Sequence, residues 1–407
     1  MTDITRNISN VFDKCTGCSA CKAICPVHAI HMYENKEGFL EPVVDATCIK
    51  CGKCRRICPA INDVNREIPK FDKTIYAAYN INKYENRNSS SGGIFILLAR
   101  NVIEKENGVV FGTVINENNE VVFSRAETIE GVKKMIGSKY VYSKVDGIYM
   151  DVECELKKNK RVLFSGVSCQ IAALYSFLGK EYQNLLTVEI LCHGAPAPGL
   201  YRKYINFMEK RYKSRILNVN QRDYTQKWTP LIEKRVRISF TNGKSRLRKE
   251  DFDPYMSLFI RELCYRKVCY QCKYVGMKRN GDIVLGDFGG LGTKDRLCKK
   301  NKLGFSFMMV NSEIGEQYIA ELDDLVVYYR TTGEIIIFNS CLSRTAKMPE
   351  RRERFMNDYK NESTDELFNK YYYKDFQYRC RAIIKNIVIK LIGSTNIAKL
   401  MVHLKKG

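Results

Sequence analysis

The sequence lacks long apolar segments. No stretch of its 407 residues reaches the roughly 18 uninterrupted apolar residues that a membrane-spanning helix requires. The opening residues, Met1 to Asn7, contain no apolar run of the kind found in secretory signals. These absences argue against a membrane span and against secretion, so we expect a soluble, cytoplasmic protein with reduced thiols.

Nucleic-acid-binding motifs are absent as well. The chain has a formal net charge of +22, with Lys and Arg scattered along it, yet it carries no helix-turn-helix, zinc-finger or RNA-binding signature. A basic surface attracts anions of many kinds, and a lysine-rich surface can also simply be solvated. We therefore rank a phosphate-bearing cofactor and an acidic protein partner above nucleic acid.

Cysteine, by contrast, is abundant, with 17 residues. Disulfides would explain this content in an oxidising compartment, but the missing secretory signal argues against them. Eight cysteines form two complete runs of the pattern C-x2-C-x2-C-x3-C-P, from Cys15 to Pro26 and from Cys48 to Pro59. In two-cluster ferredoxins, the fourth cysteine of each such run binds the cluster held by the other run.

The spacing therefore predicts two 4Fe-4S clusters with exchanged fourth ligands. One is predicted on Cys15, Cys18, Cys21 and Cys58, and the other on Cys48, Cys51, Cys54 and Cys25. Two four-cysteine zinc sites are the alternative, but zinc does not call for two runs of this pattern. The sequence thus predicts a protein that transfers electrons. We therefore expect the acidic protein partner inferred from the basic charge to be an electron carrier.

Organisation along the chain predicts an α+β protein. Residues 1–65 are predicted to form the ferredoxin-type module, with a polar linker from Asn62 to Lys73. From Thr74, apolar strands alternate with amphipathic helices, which predicts a mixed α/β domain over residues 74–345. The predicted strands are 75–79, 109–115, 121–124, 161–164, 185–191 and a hairpin at 235–248, and the predicted helices are 94–102, 171–178 and 200–212.

Residues 346–407 are expected to form a helical, basic tail. Its apolar and lysine-rich end, from Cys380 to Leu404, predicts a helix that packs on the body, pairs with a second copy or contacts a membrane surface.

Four further cysteines predict a third cluster. Cys169 and Cys192 each follow a predicted strand, at the point where open α/β sheets place their ligand sites. Cys269 and Cys272 form a C-x-x-C pair, which in a reduced chain indicates a metal or redox site. Together they complete four ligands, with Cys264 as a competing one. Zinc or thiol–disulfide exchange is the alternative for the C-x-x-C pair alone.

A small-residue segment, Ser89 to Phe95, opens a predicted helix. Small residues allow a phosphate group to approach the backbone N–H groups at a helix N-terminus. An ordinary N-cap is the alternative interpretation of this segment.

The order of motifs resembles that of the coenzyme F420 hydrogenase/dehydrogenase family of beta subunits. The motifs are S-S-G-G-x-F at 90–95, G-S-K-Y at 137–140, G-x-x-C-Q at 166–170, C-H-G-x-P at 192–196, R-x-x-C-x-x-C at 266–272 and G-D-I-x-x-G-D-F at 281–288. The resemblance covers about residues 74 to 290. It implies a flavoprotein that holds FAD beside a 4Fe-4S cluster and transfers hydride to or from a reducible substrate, coenzyme F420 or another small molecule.

The resemblance also implies roles for individual residues. FAD phosphates would contact Ser91, Gly92 and Gly93, the flavin would lie along Ser138, Lys139 and Tyr140, and Gly286, Asp287 and Gly289 would close the site. Lys139 would lie near an anionic part of the cofactor, and His193 is a candidate proton donor. Many relatives have proline before the cysteine of G-x-x-C-Q, where this chain has Ser168.

Three functions therefore compete. The first is a self-contained iron–sulfur flavoenzyme served by a ferredoxin-like or hydrogenase/dehydrogenase partner. The second is an electron-transfer subunit that relays electrons to a separate catalytic partner. The third, a basic iron–sulfur protein bound to nucleic acid, is disfavoured by the flavin-like motifs.

Overall fold

The N-terminal module is a small two-helix, two-strand unit. The computed structural model describes residues 7–63, 74–223, 234–288, 301, 303–329 and 339–392. Strands β1 (Ile30–Glu34) and β2 (Leu40–Val44) form an antiparallel hairpin. The short helices α1 (Ala20–Ala23) and α2 (Lys53–Arg56) each lie within one cysteine run and pack against each other. The Asn35 side chain closes the hairpin turn by accepting hydrogen bonds from the Glu37 and Phe39 amides.

An eight-stranded sheet forms the centre of the body. Its strands are β3 (Thr74–Asn80), β4 (Val109–Ile115), β5 (Val121–Ala126), β6 (Val162–Val167), β7 (Leu185–Ile190), β11 (Ile283–Asp287), β12 (Ser306–Val310) and β13 (Leu325–Tyr329). They are arranged in the order β13-β3-β12-β11-β7-β6-β4-β5. Alternate residues of each strand point to opposite faces, so Val109 and Val110 enter separate hydrophobic cores.

Helices cover both faces of this sheet. They are α3 (Lys83–Asn88), α4 (Ile94–Arg100), α5 (Ile129–Lys133), α6 (Ile148–Lys157), α7 (Ser168–Leu178) and α10 (Glu313–Ala320). The core on one face contains Ile171 and Leu174 of α7 with Val152 of α6. The core on the other contains Ile96 and Leu98 of α4. The mixed α/β architecture and the ferredoxin-like N-terminal module confirm the predicted fold class.

Most strands of the eight-stranded sheet run in the same direction. β4, β6, β7 and β11 pair in parallel, while β12 runs antiparallel to both β11 and β3. The carboxyl ends of β3, β4, β6, β7 and β11 therefore lie along one edge, which is where open α/β sheets bind ligands. We call this the carboxyl edge.

A second, three-stranded sheet contains the hairpin predicted from residues 235–248. Its strands are β8 (Ile216–Asn220), β9 (Arg235–Phe240) and β10 (Ser245–Lys249), and they do not join the larger sheet. Around it lie α8 (Pro198–Tyr212), α9 (Pro254–Ile260), α11 (Arg352–Asn361), α12 (Thr364–Phe368) and α13 (Phe376–Ile392). Phe355 and Phe368 are fully buried in the core of this unit, so α11 and α12 are part of the body rather than a tail.

No described helix combines the length and the apolar content needed to cross a membrane. The helix predicted from Cys380 onward is α13 as far as Ile392, and its predicted continuation to Leu404 lies outside the described residues.

Candidate functional site

The first predicted cysteine set surrounds one cavity. Cys15, Cys18, Cys21 and Cys58 line an empty volume of about 330 Å³, together with Ile8 and Val11. We call them the inner cysteine group. Each is at most 9% exposed, and burial raises the pKa of all four thiols, that of Cys18 to about 12. Four cysteine thiolates around one cavity are the ligand set of a 4Fe-4S cluster.

The second predicted set surrounds a neighbouring cavity. Cys25, Cys48, Cys51 and Cys54 line an empty volume of about 300 Å³ and form the outer cysteine group. Cys51 is exposed, and Cys25 and Cys48 are half-buried. The exchange of fourth cysteines arises because α1 packs against α2, which brings the end of each run to the other run's cavity.

The inner group faces the body of the protein. The Arg266 guanidinium donates to the Cys15 carbonyl at 3.3 Å and to the Leu40 carbonyl at 3.0 Å. Burial raises the pKa of Cys15, and the positive charge of Arg266 partly offsets this effect. Arg266 lies three residues before Cys269, so the C-x-x-C segment is attached directly to the N-terminal module.

Four more cysteines gather at the carboxyl edge. Cys169 lies in the first turn of α7, because β6 extends to Val167 and the helix begins earlier than the predicted Ile171. Cys192 lies just beyond β7, Cys269 lies in a 3-10 turn and Cys272 follows it. Burial raises the pKa of Cys169, and the charges of the other three thiols raise it further. We call these four the edge cysteine group.

Two other buried cysteines lie outside the edge cysteine group. Cys264, the competing ligand, is fully buried in the core with Tyr255 and Tyr265, and the charges acting on it come from Arg261 and Arg352. Cys341, which belongs to none of the motifs, is buried close enough to Cys192 for its charge to raise the pKa of that thiol. Among the described residues, no three side chains of His, Cys, Asp or Glu are grouped closely enough to hold a single metal ion.

A buried ion pair lies next to the edge cysteine group. The side chains of Arg279 and Glu189 are 1% and 0% exposed, with Nη1 of Arg279 3.3 Å from Oε1 of Glu189. Ser168 donates to the same carboxylate at 2.6 Å, and the amides of Asn280 and Gly281 donate to its other oxygen. Since Ser168 precedes Cys169, this network fixes the start of α7. Sequence reasoning missed it, because its members come from separate segments.

Three tyrosines separate the inner group from the edge group. Charges on both Cys18 and Cys169 raise the pKa of Tyr142, Tyr149 and Tyr274, although burial is the larger cause in each case. The Tyr142 hydroxyl is 3.6 Å from the Cys169 sulfur. Cys18 also belongs to the same hydrophobic core as Tyr149. The inner group therefore lies next to the edge group.

The predicted phosphate segment is packed against β3 and β12. A Cβ atom on Gly92 would lie 2.2 Å from the Ala78 carbonyl oxygen, so only glycine fits there. Gly93 begins α4 with a left-handed φ of +78° and no side-chain cap, which differs from an ordinary N-cap. The Ser91 hydroxyl donates to the Phe305 carbonyl, and the Ser138 hydroxyl donates to Ser90. The structure thus brings the 90–93 and 137–140 motifs together.

Tyr140 and Asp287 lie beside two cations that sequence reasoning missed. Arg222 Nη2 is 2.6 Å from the Asp287 carboxylate, and Lys234 Nζ is 4.0 Å from it. Burial would raise the pKa of Asp287, but these two cations outweigh it and hold the pKa low. Gln221 accepts from the Tyr140 amide at 2.5 Å, and within the described chain its buried Nε2 has no hydrogen-bond partner.

The remaining predicted residues have distinct surroundings. The Lys139 ammonium donates to the carbonyls of Met135, Ile136 and Gly137, and burial lowers its pKa to about 7. His193 is exposed, with Nε2 3.1 Å from the Ser340 hydroxyl. Gly286 lies in β11 at the carboxyl edge, and Gly289 lies outside the described residues.

Comparison with known proteins identifies relatives. The family model for the C terminus of the beta subunit of coenzyme F420 hydrogenase/dehydrogenase matches residues 159–329, and a 4Fe-4S dicluster domain matches residues 14–62. The chain is 25% identical over 334 residues to one of the subunits of the F420H2 dehydrogenase of Methanosarcina mazei, covering 77% of this chain and 83% of that protein.

Two further proteins are similar at lower coverage or identity. The coenzyme F420-dependent sulfite reductase of Methanocaldococcus jannaschii is 23% identical over 313 residues, which cover 74% of this chain and 45% of that enzyme. A chain of the F420-reducing NiFe hydrogenase complex from Methanosarcina barkeri matches with a TM-score of 0.43 and 15% identity, over 72% of this chain and 90% of that one.

The motifs, the cysteine groups and these matches agree. The chain is an iron–sulfur electron-transfer oxidoreductase that is related to the subunits of coenzyme F420 hydrogenases and dehydrogenases and carries a 4Fe-4S dicluster domain over residues 14–62.

Proposed function

We propose that this protein is an iron–sulfur flavoenzyme with three 4Fe-4S clusters and FAD. Electrons pass between an external carrier and a small reducible molecule, through the outer, inner and edge cysteine groups in that order. FAD, when bound, exchanges single electrons with iron–sulfur clusters and hydride with an organic substrate. The residues of this chain hold and separate these groups.

The position of the inner group supports this proposal more than any other observation. Tyr142, Tyr149 and Tyr274 lie close to thiols of both the inner and the edge group, whereas the outer group contains the exposed Cys51. Burial of the inner thiols keeps an external carrier away from that cluster. Exposure of Cys51 leaves the outer cluster within reach of one. The arrangement suits transfer of electrons along one route.

The proposed ligands of the third cluster are Cys169, Cys192, Cys269 and Cys272. The three segments that carry them meet at the carboxyl edge, and Arg279 with Glu189 anchors two of those segments. Cys264 is the weaker candidate because it is fully buried in a different core.

Residues beside the edge group suit a flavin nucleotide. Arg222 and Lys234 supply positive charge next to Tyr140 and Asp287, where an anionic part of a flavin or its phosphates would be stabilised. No described residue accepts from the Nε2 of buried Gln221, and such a donor suits a carbonyl or nitrogen acceptor on the cofactor, because a buried donor without a partner is costly. We propose that Ser91, Gly93, Ser138 and Gly286 border this site, together with Gly92 and Gly289.

His193 and Lys139 are the proposed proton-handling residues. His193 is exposed directly after Cys192, so its imidazole can exchange protons with solvent. Lys139 changes charge near neutral pH, since burial lowers its pKa to about 7 while three carbonyls accept from its charged form. The substrate is proposed to be coenzyme F420 or another small reducible molecule, because two relatives are named for that coenzyme.

A relay subunit without its own substrate is the second candidate. It is favoured by the name of the Methanosarcina mazei relative, which is one subunit of a dehydrogenase. In that case a partner subunit would supply the substrate site, and isolated protein would accept electrons without passing them to any small molecule.

Cofactor content of anaerobically purified protein tests the proposal. We expect about twelve iron atoms and one FAD per chain, because each 4Fe-4S cluster contains four irons. Cys192→Ser should remove about four irons and leave the ferredoxin-type signals, whereas the exposed Cys154→Ser should leave the iron content unchanged. About eight irons without flavin in the wild-type protein would exclude the flavoenzyme. Full cofactor content with turnover only alongside a partner subunit would favour the relay.

A further inference from the structure

Helix α13 presents an apolar face to solvent. Successive residues of an α-helix are about 100° apart, so residues 376, 383, 384, 387, 388 and 391 share one side. These are Phe376, Ile383, Ile384, Ile387, Val388 and Leu391, and all are at least 36% exposed. Phe376 and Leu391 are 74% and 79% exposed. We call this side the apolar face of α13.

The opposite side of α13 is attached to the body mainly by polar contacts. The Lys385 ammonium lies 2.9 Å from the Asp251 carboxylate, and the Lys249 ammonium donates to Asn386 at 2.9 Å. Among the side chains of α13 that the structure describes, the buried aliphatic residues on this side are Ala382 and Ile389. A helix that served only to pack on its own protein would bury its apolar stripe. Here the body holds the helix with that stripe turned outward.

The charge around this face has a single sign. Residues 376–407 contain no Asp or Glu, and seven Lys or Arg residues. Of these, Arg381 and Lys390 are exposed on α13, on either side of the apolar face. An apolar stripe bordered by cations is the composition of helices that lie in the interface of anionic membranes, with the aliphatic parts of Lys and Arg beside the apolar stripe.

We infer that α13 binds an anionic lipid surface. The helix lies parallel to the surface, its apolar face enters the boundary between head groups and acyl chains, and Arg381 and Lys390 contact the anionic head groups. The charge complementarity favours lipid over a second copy of this chain, because two copies would bring the same cations together. This inference does not depend on the cofactors proposed above.

Sedimentation of the full holoprotein with lipid vesicles tests the inference. Vesicles of phosphatidylcholine with phosphatidylserine should bind the protein, and high salt or omission of phosphatidylserine should weaken binding. The double variant Ile384→Glu with Leu391→Glu should bind at least about tenfold more weakly, because two side chains lose their apolar burial. Both positions are exposed, so the variant is expected to fold, and unchanged iron content would verify this.

Leu217→Glu is the matched control. Leu217 is 69% exposed on β8, so the substitution adds the same charge at an exposed leucine outside α13. The inference holds if this variant binds vesicles like wild type while the double variant does not. It is overturned if wild type binds neither kind of vesicle, or if both variants retain binding. It is also overturned if wild type is a dimer that the α13 variant converts to monomers, which would show that a second copy covers the face.

Discussion

The inner and outer cysteine groups have the same sequence pattern but differ in exposure. Every inner cysteine is at most 9% exposed, whereas in the outer group Cys51 is exposed, Cys25 and Cys48 are half-buried and only Cys54 is buried. The inner group also contacts the body through Arg266, while Lys50 and Lys53 line the outer cavity. The difference suits two tasks for two equivalent motifs. The inner group would relay electrons within the protein, and the outer group would exchange them with an external carrier.

The difference in burial also gives the two cysteine groups different electrostatic environments. The inner thiols have raised pKa values because burial disfavours negative charge, and the same effect opposes the extra negative charge of a reduced cluster. Arg266 offsets part of this effect at Cys15. In the outer group, burial raises the pKa of Cys54 as well, but the exposed Cys51 is in contact with water, which stabilises charge directly.

Removing one cysteine ligand from the inner or the outer group should have the largest effect on turnover. In Cys18→Ser, electrons from a protein carrier should still reach the outer cluster, but turnover of the proposed flavin site should fall at least about a thousandfold, since the relay is interrupted. In Cys51→Ser, carrier-driven turnover should also fall, yet a small viologen donor should restore it through the inner cluster. Stopped-flow reduction with both donors measures this. Equal rescue of the two variants by viologen would contradict the order outer, inner, edge.

The edge group should depend on a buried arginine as the inner group does. Arg279→Met leaves the Glu189 carboxylate buried without its cation, so the free energy of unfolding should fall by about 3–5 kcal/mol. Denaturant unfolding of the anaerobic holoprotein measures the change. Adding Glu189→Gln to this variant removes the uncompensated charge, keeps an acceptor oxygen for the donors at this position and should recover part of the loss. If Arg279→Met alone is as stable as the double variant, the buried charge of Glu189 does not need Arg279 for stability.

The arginine at the inner group is expected to matter more than the lysine at the outer group. Arg266→Met leaves the carbonyls of Cys15 and Leu40 without their donor and should lower the free energy of unfolding by about 2 kcal/mol. The exposed Lys53→Met is the matched variant and should change it by less than about 0.5 kcal/mol.

The same pair of variants should differ in redox behaviour. Loss of the Arg266 charge should lower the reduction potential of the inner cluster, because the added electron loses a nearby cation. A potentiometric titration followed by electron paramagnetic resonance measures both clusters. An equal shift for Lys53→Met would remove the distinction between the two groups.

The smallest effect is expected at Ser168, which precedes Cys169. Ser168→Ala removes the donor to Glu189 and should reduce the free energy of unfolding by about 1 kcal/mol. Ser168→Pro should be less harmful than Ser168→Ala, because proline suits the first position of a helix and restricts the unfolded chain. Thermal unfolding of both variants compares them. Since both variants lack the hydroxyl, a proline variant less stable than the alanine variant would show that the proline ring does not fit at this position.

Short-range patterns carried most of what the sequence predicted. The strands 75–79, 109–115 and 121–124 and the helices 94–102 and 200–212 lie close to their predicted positions, because their periodicity is local. The predicted cysteine sets line separate cavities, since spacing within each run limits where its thiols can reach. Their role as cluster ligands stays a prediction, as do the FAD contacts.

Long-range partners were not predictable from these patterns. Arg279 and Glu189 are separated by 90 residues, and nothing near either one indicates a buried ion pair. In the sequence, nothing distinguishes Arg222 and Lys234 from the many other basic residues. Only the tertiary structure brings them beside Asp287. Cys341 lies near Cys192 only because the chain returns to the carboxyl edge.

Local spacing in the amino-acid sequence was enough to indicate the chemistry: two ferredoxin runs, a further set of cysteines and the motifs of a redox family. The tertiary structure decided which cysteine group is buried, which cations meet Asp287 and which side of α13 faces solvent. These features depend on contacts between segments far apart in the chain, and burial rather than residue type sets their electrostatics.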